Sequence, residues 1–327
     1  MSMGSGALTG VIDADRRRVV ASLPLSLLAA CVSAPPAPPR PPSPPKDSNG
    51  SNAAPASSAP SPPAPAPAPG GQTKGSAWAH TGASAARLID SAMVSLPAGV
   101  NGFPNVSWLQ WREMPRGSSR RVPVVILLHG SAGARVKAIE EWQRWLATLG
   151  VASVVPDSFA LPDRLTYTSP VGSEIYERVH ALRASEIDIT LKAVRAASWA
   201  DPQRVVLAGT SEGAVAVARH AGEGFAGRMI FSWSCEDNYF VREHRTAPAP
   251  KVPVLNVISA SDPFFTAANP FLGMTRAPLG HCGAALAQHP RATVVILPGA
   301  PHTVLGVPGA RHAVEGFLRE TLRLDLH

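Results

Sequence analysis

Residues Arg204 to Ala218 read Arg-Val-Val-Leu-Ala-Gly-Thr-Ser-Glu-Gly-Ala-Val-Ala-Val-Ala. The stretch begins with a short apolar run, Val205 to Ala208, which is rich in β-branched residues and is typical of a strand buried on both faces of a parallel sheet. From Glu212 the sequence is rich in alanine and has no proline, which predicts a helix. The chain must therefore turn sharply from strand to helix between Gly209 and Gly213.

This turn has the pattern Gly209-Thr210-Ser211-Glu212-Gly213, in which a serine lies between two glycines. A serine at so sharp a turn is strained, and larger residues two positions to either side would clash. The turn lifts the hydroxyl of Ser211 clear of the sheet and leaves the N–H of Glu212 facing any oxyanion. We interpret the pattern as a nucleophile elbow, with Ser211 as the nucleophile, rather than as a plain glycine turn.

The composition divides the chain into two unequal parts. Fifteen of the 34 prolines fall between Pro35 and Pro69. Residues 31–75 are mostly proline, alanine and serine, which predicts a disordered, extended linker. Residues 76–327 are enough for one α/β domain. The net charge of +7 is diffuse, and the folded part has no run of basic residues and no basic patch interleaved with aromatic residues, so we expect no nucleic-acid partner.

The first thirty residues have the features of an export signal. Arg16-Arg17-Arg18 precedes an apolar stretch, Val19 to Ala30, which is too short to span a bilayer but suits the h-region of a signal peptide. It ends in Leu28-Ala29-Ala30-Cys31, which resembles the lipobox of bacterial lipoproteins. That resemblance implies a signal peptide over residues 1–30 and lipidation of Cys31. The protein would then be anchored to the membrane of the bacterial cell envelope, facing the periplasm or the surface. An ordinary secretory signal with an incidental cysteine is the alternative.

Strands and helices alternate through the folded part. Continuous apolar strands are predicted at Val122–Leu128, Val151–Val155, Val205–Ala208, Met229–Trp233, Val254–Ser259 and Thr293–Leu297. Helices are predicted at Arg135–Leu149, at about Glu174–Ser198, from Glu212 onward and at about Ala310–Leu322. The alternating run Val106–Trp111 suits an antiparallel edge strand. This order predicts an α/β fold with a mostly parallel sheet covered by helices on both faces.

Polar residues follow several of these strands, at the sheet edge where ligands bind. Ser131, Ser211, Asp262 and His302 each come shortly after a predicted strand. We assign Ser211 as the nucleophile, His302 as the base and then the acid, and Asp262 as the carboxylate that fixes the tautomer of His302. Asp237, which follows the preceding strand, is the alternative carboxylate, and Asp262 would then be a turn residue.

The same edge of the sheet provides the rest of the predicted site. The oxyanion hole would use the backbone N–H groups of Glu212 and of Ser131, although Ala132 could replace Ser131. The candidate pocket walls are Phe159, Tyr167, Tyr239 and Phe264. The sequence has neither His-Glu-x-x-His nor Cys-x-x-Cys, so we expect no metal and no cofactor.

Three cysteines are present. If Cys31 is lipidated, Cys235 and Cys282 remain. Outside the cytoplasm an even remainder predicts one disulfide, with two buried thiols as the alternative.

From about Val122 to Leu322 the chain resembles the α/β-hydrolase superfamily, and most of all its dienelactone hydrolase-like group. Five motifs carry this resemblance: His129-Gly-Ser-Ala-Gly133, Pro156-Asp-Ser-Phe159, Gly209-Thr-Ser-Glu-Gly213, Ser261-Asp-Pro263 and Ala300-Pro-His302. Two positions depart from it, since many dienelactone hydrolases have cysteine in place of Ser211 and a second glycine in place of Ala214.

The resemblance implies the α/β-hydrolase fold and the activity of a serine hydrolase. Its substrates would be small-molecule carboxylic esters or lactones, cleaved through an acyl-enzyme. A peptidase of the same fold is one alternative, although no gating domain accompanies the sequence. A non-catalytic lipoprotein that uses the fold for binding is the other, although it would not require Ser211, Asp262 and His302 together.

Overall fold

The structure, a computed structural model, describes residues 70–115, 117, 120–274 and 277–324. The predicted signal peptide, Cys31 and most of the predicted linker therefore lie outside the described residues. The last part of that linker region contains a short strand, β1 (Gln72–Lys74), which pairs in antiparallel fashion with β6 (Thr166–Thr168). Within the described ranges, no helix combines the length and apolarity needed to cross a bilayer.

An eight-stranded sheet forms the centre of the fold. Its strands in spatial order are β10 (Ala292–Leu297), β9 (Val254–Ser259), β8 (Gly227–Phe231), β7 (Ala200–Thr210), β4 (Val122–Leu128), β5 (Ala152–Val155), β2 (Met93–Leu96) and β3 (Ser107–Gln110). The strands from β10 to β5 run parallel, whereas β2 and β3 are antiparallel to their neighbours. The mostly parallel sheet and its antiparallel edge strand are as the sequence predicts.

Among the described residues, five α-helices accompany the sheet: α1 (Gly82–Asp90), α2 (Lys137–Thr148), α3 (Ser173–Ala196), α4 (Glu212–Arg219) and α5 (Pro308–Leu322). Successive residues of β4 point to opposite faces, so that Ile126 packs into the core shared with α3 and α4, and Leu127 into the core shared with α2 and α5. Every residue of β4 is buried. The helices therefore cover both faces, which explains why this strand is apolar throughout.

Helix α1 and strand β2 are not predicted from the sequence. Helix α1 follows Thr81, whose side chain accepts a hydrogen bond from the N–H of Ser84 and caps the helix. Strand β2 has four residues, all buried between β3 and β5. A run this short shows no periodicity that distinguishes a strand from a loop.

The two cysteines of the folded part form a disulfide, as predicted. Cys235 follows β8 and Cys282 lies in the connection between β9 and β10, and both are buried. The bond joins positions that are 47 residues apart in the sequence. It therefore ties two connections that follow neighbouring strands.

Replacing both cysteines by alanine is expected to lower the free energy of unfolding by about 2–4 kcal/mol. The unfolded chain gains conformational entropy when this loop is no longer closed. Equilibrium urea unfolding, followed by circular dichroism, measures the change. A reductant should destabilise the wild type by a similar amount and leave the double variant unaffected. Equal stability of the oxidised and reduced wild type would contradict the prediction.

Candidate active site

The turn between β7 and α4 holds Ser211 in a rare backbone conformation. Its φ is +53° and its ψ is −118°, a combination that residues other than glycine seldom adopt. The N–H of Ser211 donates a hydrogen bond to the carbonyl of Phe231 at 3.0 Å. The end of β8 thus helps to hold the turn in its strained form.

The two glycines that flank Ser211 are required by close backbone contacts. A Cβ atom at Gly209 would lie 2.5 Å from the carbonyl oxygen of Gly213. A Cβ atom at Gly213 would lie 2.4 Å from the carbonyl oxygen of Leu128, at the end of β4. Real side chains do not tolerate such distances, so these contacts give the physical reason for the Gly-x-Ser-x-Gly pattern.

Ser211, His302 and Asp262 form a hydrogen-bonded chain. The Oγ of Ser211 is 3.0 Å from Nε2 of His302, and Nδ1 of His302 is 2.7 Å from Oδ2 of Asp262. Asp262 follows β9 and His302 follows β10, and these strands are parallel neighbours, so their loops lie side by side. With its proton on Nδ1, donated to Asp262, the imidazole has a free lone pair on Nε2 for the serine proton.

Neighbouring groups fix the positions of Asp262 and His302. Asp262 is fully buried, and its Oδ1 accepts hydrogen bonds from the N–H groups of Phe264 at 2.9 Å and Phe265 at 3.2 Å. The hydroxyl of Ser232 donates to the carbonyl of His302. Ser232 is not predicted from the sequence, because a serine behind a loop carries no motif of its own.

Asp237, the alternative carboxylate, lies in different surroundings. Its side chain is 60% exposed, and its Oδ1 accepts a hydrogen bond from the backbone N–H of His244 at 2.7 Å. The ring Nδ1 of His244 is 3.0 Å from the same oxygen. The structure therefore brings Asp262 to His302 and Asp237 to His244.

The loop after β4 borders Ser211 from the other side. A Cβ atom at Gly130 would lie 3.2 Å from the Cβ of Ser211, so the loop passes very close to the nucleophile. Ser131 and Ala132 line the same cavity as Ser211 and His302. Glu212 is the first residue of α4, where a helix leaves its N–H groups without partners inside the helix. The loop after β4 and the first residue of α4 thus both adjoin Ser211, and the oxyanion hole stays a prediction.

A cavity of about 260 Å³ opens above these groups, and Tyr167, Tyr239 and Phe264 line it. Phe159 requires a correction, because it does not line this cavity. The ring of Phe159 stacks on that of His129, with the ring centroids 5.7 Å apart. The guanidinium of Arg164 lies over the ring of Phe159, 4.6 Å from its centroid. Phe159 therefore supports the loop after β4 from outside.

His129 is a buried, neutral support for that loop. Burial and the nearby guanidinium of Arg183 hold the pKa of His129 well below its usual range. Its Nδ1 is 2.6 Å from the carbonyl oxygen of Gly130, so Nδ1 carries the proton. Its Nε2 accepts from the N–H of Ser158 at 3.1 Å. Both ring nitrogens are occupied, which fits the geometry of a structural residue.

A charge network lies buried beneath the site. Its four charged members, each at most 6% exposed, are Arg164, Arg183, Glu186 and Glu212. Arg164 Nη2 is 2.7 Å from Glu212 Oε1, and Arg183 Nη1 is 2.8 Å from Glu186 Oε2. His80 also borders the network, with Nε2 at 3.4 Å from Glu186 Oε1.

This network connects the elbow to the loop after β4. Arg183 donates from Nη2 to the carbonyl of His129 at 2.8 Å, and its Nε is 3.6 Å from Glu212 Oε1. The hydroxyl of Tyr167 donates to Glu212 Oε2 at 2.9 Å, and burial followed by the Glu212 charge raises the pKa of Tyr167 well above its usual range. The network thus joins the elbow, the oxyanion loop and a pocket wall.

The described residues contain no cluster of three or more His, Cys, Asp or Glu side chains arranged to hold a metal ion. The chemistry that the arrangement supports is nucleophilic attack by Ser211. His302 would accept and return the proton, and backbone N–H groups would stabilise the oxyanion.

Comparison with known proteins gives one family match. The dienelactone hydrolase family matches residues 113–305. This match, together with the sheet order, confirms the expected α/β-hydrolase fold. No protein with curated annotation matches the sequence.

Three solved structures that are similar to the chain illustrate the match. Est1E from Butyrivibrio proteoclasticus has 16% identity and a TM-score of 0.45, over 71% of this chain and 94% of its own. Esterase PE8 has 19% identity and a TM-score of 0.45, over 70% of this chain and 97% of its own. A dienelactone hydrolase-like promiscuous phosphotriesterase from metagenomic libraries has 18% identity and a TM-score of 0.45, over 71% and 98%.

The buried network leads to a prediction about stability. Glu212→Gln is expected to lower the free energy of unfolding by about 3–5 kcal/mol, because it leaves a buried guanidinium charge without compensation. Glu140→Gln is the matched control, since Glu140 forms a partly exposed pair with Arg144 at 2.9 Å and should cost at most about 1 kcal/mol. Urea unfolding measures both variants. Equal losses would contradict the assigned role of the network.

Proposed function

The chain belongs to the dienelactone hydrolase family and is a hydrolase; we propose that it is a serine hydrolase that cleaves carboxylic esters or lactones through an acyl-enzyme. The observation that carries the proposal is the hydrogen-bonded chain from Ser211 through His302 to Asp262, with distances of 3.0 Å and 2.7 Å. Ser211 and His302 line a cavity that is open to small molecules.

In the acylation step, Nε2 of His302 takes the proton of Ser211 as Oγ attacks the carbonyl carbon of the substrate. The carbonyl π electrons move to oxygen, and the N–H groups of Glu212 and of the Ser131–Ala132 loop stabilise the resulting oxyanion. Asp262 stabilises the imidazolium formed on His302. When the tetrahedral intermediate collapses, the bond to the leaving oxygen breaks and His302 returns the proton to that oxygen.

Deacylation repeats these steps with water as the nucleophile. His302 accepts a proton from the water, whose oxygen attacks the acyl carbon bound to Ser211. Collapse of the second intermediate breaks the bond to Oγ, and His302 returns the proton to Ser211. For a lactone, ring opening leaves the hydroxyl on the same molecule as the acyl group.

Ser211→Ala is expected to abolish both ester hydrolysis and labelling by a fluorophosphonate, because both reactions need the Oγ nucleophile. Circular dichroism and thermal unfolding check that the variant is folded. Wild-type protein that is folded but neither labels nor hydrolyses esters would contradict the proposal and favour a binding protein of the same fold.

The two carboxylates provide a matched pair within this test. Asp262→Asn is expected to lower kcat by about 10³–10⁴, because the amide holds the imidazole in the wrong tautomer. Asp237→Asn, far more exposed and bonded to His244, should lose at most about tenfold, which is roughly 1.4 kcal/mol. The reverse ranking would assign the acid role to Asp237.

We also propose that the protein is a lipoprotein of the bacterial cell envelope. The proposal depends on Leu28-Ala29-Ala30-Cys31 after the apolar stretch that ends at Ala30, and on the Pro-rich segment beyond it. Acyl chains on Cys31 would hold the protein at the membrane, and the linker would set the distance of the hydrolase domain from it.

Cys31→Ser is expected to move the full-length protein from the membrane fraction to the soluble fraction, since each buried methylene of a lipid anchor contributes about 0.8 kcal/mol. Fractionation with immunodetection measures the distribution, and mass spectrometry measures the lipid on the mature wild type. Ser43→Ala in the linker is the control and should remain at the membrane. A wild-type mature protein without lipid would contradict the proposal.

A further inference from the structure

A second cavity adjoins the catalytic one and has a volume of about 230 Å³. This cavity, the outer groove, shares Ser169, Tyr239 and Phe264 with the catalytic cavity. Its other apolar walls are Pro170, Pro263, Pro270 and Phe271. Because three residues border both spaces, the outer groove lies directly beside the cavity above Ser211.

The wall of the outer groove is held in place by hydrogen bonds. The side-chain amide of Asn269 donates to the carbonyl of Phe264 at 2.8 Å, and its Oδ1 accepts from the N–H of Phe271 at 2.9 Å. The N–H of Phe264 in turn donates to Asp262. One asparagine thus connects the two phenylalanines, and the catalytic carboxylate fixes one end of the segment.

Phe264 and Phe271 are 42% and 40% exposed. Exposed large apolar side chains around a cavity are typical of ligand-binding surfaces. The rings face a small concave space bounded by three prolines. A narrow apolar ligand fits such a surface.

Charge further restricts the ligand. Among the described residues that line the catalytic cavity and the outer groove, none is Asp, Glu, Lys or Arg. A charged group would lose its hydration there without gaining a partner, which is costly. The part of the substrate in the outer groove is therefore uncharged.

The position of His302 identifies which part of the ester enters the outer groove. His302 protonates the leaving oxygen, so the alcohol side of the ester must lie within hydrogen-bond reach of its Nε2. The ring of Phe264 lies 4.6 Å from the ring of His302, measured between centroids. Since Phe264 also borders the outer groove, the alcohol side points toward that groove.

From these observations we propose that the outer groove binds an uncharged, apolar alcohol moiety of the ester. This inference rests on the proposed serine-hydrolase function and specifies its substrate class. The acyl group would remain in the catalytic cavity.

Two ester series test the proposal with the purified protein. The first varies the alcohol at constant acyl group: ethyl, butyl and hexyl acetate, with acetyl-glycolate as a charged comparison. The second varies the acyl group at constant alcohol: ethyl acetate, butyrate and hexanoate. We expect kcat/KM to rise about threefold to fourfold for each added methylene that becomes buried in the alcohol series, and acetyl-glycolate to be the poorest substrate.

The variant Phe271→Ala tests whether the outer groove is the site that binds the alcohol. The variant should lose about tenfold in kcat/KM for hexyl acetate, with ethyl acetate and the whole acyl series changed less than twofold. Trp78→Ala is the control, because Trp78 is an aromatic residue of similar exposure, 44%, that lines neither cavity. It should behave like the wild type in both series.

The outcomes that overturn the proposal differ from one another. If kcat/KM is the same along the alcohol series, or if Phe271→Ala changes the acyl series instead, the outer groove does not bind the alcohol and the serine-hydrolase function stands. If acetyl-glycolate is the best substrate, the ligand is charged and the proposal is wrong. A wild type that reacts with the fluorophosphonate but hydrolyses no ester of either series overturns the groove proposal alone. A wild type that does neither overturns the serine-hydrolase proposal and the groove proposal together.

Discussion

The close approach of the backbone at Gly213 to the end of β4 is the contact on which the site depends. Only a hydrogen atom fits between Gly213 and the carbonyl of Leu128, where a Cβ atom would lie at 2.4 Å. This contact brings the first turn of α4 against the loop that follows β4. Glu212, at the start of α4, and Ser131, in the loop after β4, therefore lie on either side of this contact. A larger residue at position 213 would push α4 and the loop after β4 apart.

The buried charge network is a consequence of the same contact. Bringing α4 so close to β4 buries the side chain of Glu212, which is 1% exposed. An unpaired carboxylate at that depth would be strongly unfavourable. Arg164 and Arg183 compensate it, and Arg183 also donates to the carbonyl of His129. The group that compensates the charge of the elbow thus also holds the oxyanion loop, so the loop and the elbow are positioned by shared contacts.

The sheet and the order of Ser211, Asp262 and His302 were predictable because apolar runs and the residues just after them are local features of the sequence. The sequence also favoured Asp262, on the ground that one strand–helix step separates its loop from that of His302; the structure adds that β9 and β10 are direct neighbours. The network was not predictable. Arg183 lies on the 24-residue helix α3, where charged residues usually indicate a solvent-facing side. Its burial follows from where the helix crosses the sheet, which no local pattern encodes.

Asp262 links the orientation of His302 to the position of the aromatic residues beside the cavity. One carboxylate oxygen, Oδ2, meets the ring of His302 at 2.7 Å, whereas the other, Oδ1, accepts the N–H groups of Phe264 and Phe265. One buried side chain therefore fixes both the orientation of the His302 ring and the position of Phe264 and Phe265. Removing the whole side chain would release both, whereas an amide in its place keeps an acceptor for the wall and alters only the contact with His302. A substitution can thus separate the contact with His302 from the contacts with Phe264 and Phe265, although one residue makes both.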